Sequence, residues 1–152
     1  MNDPFEAVVG LLDEEIELHR RLLELARAEQ RALVRGDAEA VGRLVAEQER
    51  LSAEIRSLER ARMQLLELLA EWEGRSVNDL TLGDLARLSP PEVARRFEHQ
   101  RAVLAQLLQE LADVNRANAL LISSHLQYVR TVVSLLTGAH DGPVSLRVDQ
   151  VV

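Results

Sequence analysis

Residues 33–44 read LVRGDAEAVGRL, and the step Arg35-Gly36-Asp37 inside them decides the fold. Gly36 can take the left-handed conformation that closes a helix, and Asp37 carries the short acceptor that opens the next one. The flanks agree with this reading. Upstream, Phe5, Val8, Leu12, Ile16, Leu23, Ala26 and Leu33 keep to steps of three and four, with His19 and Gln30 as polar interruptions. Downstream, Val41, Leu44, Gln48, Leu51, Ile55, Leu58, Arg62, Leu65, Leu69 and Trp72 do the same. Such a period lays one seam along each helix for a partner to cover. Long amphipathic helices over 4–35 and 38–73, joined by a reversing turn, form an antiparallel hairpin.

Start signals extend the pattern in both directions. Asp3-Pro4-Phe5-Glu6 reads as an N-cap, a Pro at the first helical position and a Glu placed to complete a capping box. Residues 74–89 interrupt the period, and Leu80, Leu82, Leu85 and Leu88 predict a short helix over 81–88 that folds back on the hairpin. Ser89-Pro90-Pro91-Glu92 then repeats the start signal, with Ser89 as the cap, and no Gly or Pro follows until Gly138. The last long helix therefore spans 90–137.

Two stripes run along that last helix. Its seam is Val93, Phe97, Gln100, Leu104, Leu107, Leu111, Val114, Asn118, Leu121, His125, Tyr128, Val132 and Leu135. From residue 108 a second stripe joins it: Leu108, Ala112, Asn115, Ala119, Ile122, Leu126, Val129, Val133 and Leu136. One partner helix cannot cover both. The fold class is all-α: three long amphipathic helices in an antiparallel coiled-coil-like bundle, with a short helical connector and a flexible C-terminal tail. Residues 1–138 make the helical domain and 139–152 the tail, where Val144, Leu146 and Val148 alternate enough to pair as a strand with a partner's edge.

Composition supports packed helices, since 47% of residues are apolar and only 3% aromatic, leaving Leu, Val and Ala to build the core. All 18 basic residues are Arg, a bias that carries no functional weight. Residues 1–74 hold 17 acidic and 10 basic side chains, so the whole formal charge of −7 sits in the first half. An acidic chain is a poor ligand for nucleic acid or anionic membranes, whose binding rests on Arg and Lys contacts to phosphate. The absence of Cys fits a reducing cytoplasm. The start MNDPFEAVVG has neither the basic opening nor the apolar run of a signal peptide. The apolar stretch 117–139 has the length of a membrane span, but Asn118, Ser123, Ser124, His125, Gln127 and Arg130 argue against membrane insertion.

Length points to where function lies. At 1.5 Å per residue the second and last helices measure roughly 54 and 70 Å, so about ten residues of the last helix project some 15 Å past the Gly36 turn if the two are antiparallel. These residues carry both stripes, and Arg130 is the one full charge between Ala117 and Ala139. An exposed apolar stretch of this kind marks an interaction site. It is covered by the tail, the connector or a second copy, or it receives an amphipathic helix of a client protein through apolar residues at i, i+3, i+4 and i+7. A resident cover that a client displaces reconciles the two.

The segment Asp113-Val114-Asn115-Arg116-Ala117-Asn118-Ala119-Leu120-Leu121, with the apolar run that follows to Leu136-Thr137-Gly138, resembles the C-terminal helix of FlgN, the bacterial flagellar export chaperone. The likeness extends over nearly the whole chain, including the Gly-Asp turn at residue 36. It implies a protein that holds the hook–filament junction proteins FlgK and FlgL in the cytoplasm, binds their C-terminal amphipathic helices and delivers them to the type III export gate. The implied partner-binding residues are Asn115, Asn118, Leu121, Ile122, His125, Leu126, Val129, Val132, Val133 and Leu136. One departure stands out. Family members often carry a Tyr after the last helix for contact with the gate protein FlhA, whereas this chain reads Ala139-His140-Asp141-Gly142. His140, Asp141 and Gly142 are the corresponding gate-contact candidates, and Tyr128, at a seam position, is expected to pack.

Other chemistries find no support. A di-iron bundle needs Glu-x-x-His on two helices, yet the residues three before the four His are Ile16, Arg96, Ile122 and Thr137. Glu15 and His19 share a helix face, which at most makes a weak metal site and is more simply a packed His. Phosphate loops, HExxH and Gly-x-Ser-x-Gly elements are absent. No enzymatic activity and no cofactor are expected, and client release cannot draw on ATP hydrolysis by this chain. Gln48, Arg62, Asn118 and His125 read as polar seam positions that set register, with Asn118 and His125 also open to client contact. The competing class is a structural coiled-coil scaffold or tether that self-associates permanently, against a chaperone that is a monomer or weak homodimer.

Overall fold

The computed structural model describes residues 3–138. Within them lie four α-helices: α1 (Pro4–Arg35), α2 (Ala38–Glu73), α3 (Leu82–Leu88) and α4 (Pro91–Thr137). A 3-10 turn at Val77–Asp79 precedes α3, and no strand occurs among the described residues. The all-α reading is correct. The count of helices is four, because the connector's apolar residues fold into α3 as a helix of its own.

Each end of the hairpin is fixed by local chemistry. Gly36 takes φ 71°, and its N–H and that of Asp37 donate to the carbonyls of Leu33 and Ala32, closing α1. The Asp37 carboxylate then accepts from the Ala40 N–H at 3.1 Å, opening α2. Gly74 closes α2 in the same way, at φ 66°. Asp3 caps α1 by accepting from the Phe5 N–H. Glu6 does not complete the expected capping box; its carboxylate reaches across to Arg96 at 2.8 Å. The capping box forms instead at α3, between Thr81 and Asp84.

Ser89 does not cap the last helix. Both Ser89 and Pro90 precede a proline, which holds each of them extended, so α4 begins one residue later, at Pro91. Ser89 closes α3, donating its N–H to Leu85 and its hydroxyl to the Ala86 carbonyl.

α1 is the central helix. It packs against both α2 and α4, whose own backbones scarcely approach each other. α2 runs antiparallel to it, with Gln48 bonded to Glu29 and Arg62 to Glu15. α4 runs parallel to it, with Gln100 on Val9 and Asn118 on Ala26. This position explains why α1 buries more than the expected seam. Val8, Leu12, Glu15, His19, Leu22, Ala26, Glu29 and Leu33 are all buried, in alternating steps of four and three, and Val9, Ile16 and Leu23 are buried beside them.

Two apolar clusters hold the helices together. At the connector end, Val8, Val9 and Leu12 of α1 meet Leu66, Leu69 and Ala70 of α2, Leu85 of α3 and Phe97 of α4. Nearer the Gly36 turn, Leu22, Leu23 and Ala26 meet Leu51, Ile55 and Leu111. Trp72, expected in the α2 seam, is 72% exposed, because the last turns of α2 direct Leu69 and Ala70 inward instead.

Candidate functional site

The site is built by a difference in length. Asn118 meets Ala26, an offset of 92 residues, so α4 draws level with the end of α1 near residue 127. By this register the ten residues up to Thr137 extend past the end of α1, about 15 Å of helix. Gly138, at φ 62°, ends the helix.

Burial along α4 follows from this geometry. The seam is covered as far as Asn118, with Val93, Phe97, Gln100, Leu111 and Asn118 all buried. Beyond it the covering helices run out. His125 and Tyr128 are exposed, so neither packs in the seam as expected, while Leu121 and Val132 remain half-buried. The second stripe is open along its whole length, from Leu108 to Leu136. Leu126, Val129 and Val133 are each at least half exposed, and Leu136 is 81% exposed.

The expected partner-binding residues thus divide. Ile122, Leu126, Val129, Val133 and Leu136 form one exposed apolar face, with Asn115 and His125 also at the surface. Asn118 differs from these: it is buried, and its amide donates to the Ala26 carbonyl at 2.9 Å, the register contact expected of a polar seam position. His140, Asp141 and Gly142, and the tail as a whole, lie outside the described residues.

Of the four polar seam positions, three act between helices. Gln48 donates to Glu29 at 2.7 Å, Arg62 to Glu15 at 2.8 Å, and Asn118 to Ala26. His19 is buried, with Nδ1–H donating to the Glu15 carbonyl of its own helix. Among the described residues no three His, Asp or Glu side chains gather to hold a metal ion.

Below the projecting end lies a groove that periodicity alone did not reveal. Because the backbones of α2 and α4 both lie against α1 and scarcely approach each other, a slot opens between them. Its floor is Leu22 and Glu29 of α1, one wall carries Val45, Gln48, Glu49, Ser52 and Arg56 of α2, and the other Asn115 and Ile122 of α4. The signal for it was Glu29 itself, an acidic residue in phase with Leu22 and Ala26 on the buried face of α1. The second stripe borders the slot and continues past it, through Ile122 to Leu126, with Arg130 beside them.

Electrostatically this end is bare. Arg130 has no ion pair among the described residues, and the hydroxyls of Thr131 and Thr137 turn back onto the carbonyls of Gln127 and Val133. By length and composition α4 could cross a membrane. Ser123, Ser124, His125, Gln127 and Arg130 would then have to face hydrocarbon, whereas a groove between proteins leaves them on its rim.

The family model described as FlgN protein matches residues 1–146. The chain belongs to the FlgN family. No curated protein and no solved structure gave a significant match. FlgN proteins are chaperones of flagellar assembly that bind flagellar proteins and do not as a family catalyse reactions.

Proposed function

We propose that this FlgN chaperone binds the C-terminal amphipathic helices of the hook–filament junction proteins FlgK and FlgL in the cytoplasm and delivers them to the type III export gate. One observation carries the reading: Val129, Val133 and Leu136 lie exposed on a length of α4 beyond the end of α1, with Leu126 exposed just before it. Burying one such side chain against a client contributes about 1.5–3 kcal/mol, so four in register suffice for a specific complex once the cost of association is met. The empty chaperone is a monomer or weak homodimer, and the client takes the face in a one-to-one complex. Delivery rests on contact with the gate protein FlhA, with His140, Asp141 and Gly142 as the candidate contact.

Co-purification with FlgK and FlgL, followed by light scattering of the eluted complex, tests the reading. A one-to-one complex supports it. A stable oligomer whose mass does not change on dilution, and which captures neither protein, would instead make the chain a self-associating scaffold.

A further inference from the structure

α3 sits in the same slot between α2 and α4 that opens as a groove nearer the Gly36 turn. On α4, Ala94 packs on the cluster that contains α3, and the Arg101 side chain lies against Gly83 at the start of α3. Asn115 and Ile122 line the groove. These four positions, 94, 101, 115 and 122, belong to a single series of seven-residue steps that also passes through 108, and so lie on one face of the helix. The fifth member, Leu108, is 46% exposed between the two occupied zones. On α2, Leu66 and Ala70 pack in the α3 cluster, while Val45 and Ser52 wall the groove. The molecule therefore has a fourth-helix position that α3, only 7 residues long, fills at one end and leaves vacant at the other.

The vacant part has an acidic side chain on its floor. Glu29 is 6% exposed on the groove floor, and its carboxylate is bonded only by the neutral amide of Gln48 at 2.7 Å. The other buried glutamate of α1, Glu15, has Arg62 as its partner at 2.8 Å. Closing the groove over a carboxylate is costly without a cation, and among the described residues Glu29 makes no ion pair, Arg56 lining the same groove without bridging to it. A ligand that fills this position with an apolar face and brings a cation to Glu29 would remove that cost.

We propose that the client helix docks as the missing length of the fourth helix, in line with α3, and delivers a Lys or Arg to Glu29. It rests on the chaperone reading above and extends the site from the tip of α4 down into the three-helix groove. The occupant is an amphipathic helix of about 20 residues, since Asn115 to Leu136 spans roughly 32 Å. Its lower half contacts Leu22, Val45 and Ile122, with the cation between them and Glu29. Its upper half lies on Leu126, Val129 and Val133 of α4 alone. Such an occupant needs a basic residue on its apolar face, a demand that the tip of α4 by itself would not impose.

The C-terminal segment of FlgK serves as the probe. A photo-crosslinking amino acid is placed at Ser52, on the α2 wall, or at Leu136, at the tip, and affinity is measured in parallel for Glu29→Gln, which keeps the acceptor for Gln48. Crosslinks from both positions, with at least about a tenfold loss and a flatter salt dependence for Glu29→Gln, are the expected result. Crosslinks from Leu136 only, with Glu29→Gln binding like wild type, overturn the groove and leave the chaperone reading standing. Crosslinks from both with no effect of Glu29→Gln retain the groove and overturn the cation. No complex and no crosslink from either position removes the chaperone reading and this inference with it. The crosslinks are read on the wild-type floor, so they decide the groove even if Glu29→Gln disturbs folding.

Discussion

The side-chain amide of Asn118 donates to the main-chain carbonyl of Ala26 at 2.9 Å, in an interior where Asn118 is 3% exposed and Ala26 fully buried. Gln100 makes the same bond to Val9, also at 2.9 Å, about 27 Å further down the helix. With offsets of 91 and 92 residues, the two bonds fix the register of α4 on α1 and so the length of α4 that stands clear. The amide oxygens of both residues are buried without a protein partner, so the bonds specify register at some expense of stability.

Asn118→Asp places a carboxylate against the Ala26 carbonyl, where it gains no donor. It should lower unfolding free energy by about 2–4 kcal/mol in urea titration. Asn118→Leu should remain within about 1 kcal/mol of wild type or exceed it, since it removes an unpaired oxygen. Equal stability of wild type and Asn118→Asp would mean that the residue is not held in the interior.

Val129→Asp combined with Val133→Asp tests the projecting face. Both side chains are at least half exposed, so helicity and unfolding free energy should stay within ~0.5 kcal/mol per site. Affinity for FlgK or FlgL should fall about a thousandfold, because two apolar anchors are lost and charge is forced into the interface. Normal binding by the folded double variant would remove the client site from this face.

Arg62 answers Glu15, which is 1% exposed, so Arg62→Ala strands a carboxylate in the α1–α2 interface. Breaking a buried pair costs about 3–5 kcal/mol, and the partial exposure of Arg62 places this one at about 2–3. Glu15→Leu with Arg62→Met should recover most of that loss in denaturant titration, since an apolar pair fits the same seam. A single Arg62→Ala that melts like wild type would show the pair to be immaterial.

Asp84 gives the connector a defined pH response. The Thr81 backbone N–H, the Thr81 hydroxyl and Arg87 all stabilise its carboxylate, lowering its pKa from 3.8 to about 2. A depressed carboxylate adds stability that is present above its unfolded pKa and is lost as pH falls through the folded one. Wild type should therefore melt higher than Asp84→Asn above pH 4, with the advantage vanishing as pH falls toward about 2. An advantage that does not change across this window would detach Asp84 from the stability of α3.

Much of this was legible in the sequence because it depends on neighbours in the chain. The Gly36 and Asp37 turn, the helix limits and the short connector helix follow from caps and from a period of three and four. Where two signals competed, the reading slipped. Glu6 could cap its own helix or pair with a residue 90 positions away, and the structure shows it bonded to Arg96. Trp72, His125 and Tyr128 fall on seam positions by period, yet face solvent because no partner reaches them.

The sequence by itself determined that the chain is all helix, where each helix turns, and that α4 bears two apolar stripes, since all of these are properties of local spacing. Only the tertiary structure decided which stripe is covered, how far α4 projects, and that α1 rather than α2 is central. Periodicity records which side chains share a face, but a seam looks the same whether or not a partner extends to meet it. The offset of 92 residues between Asn118 and Ala26, and a slot filled by α3 at one end only, arise from contacts between segments distant in the chain, and these settled where the surface stays open.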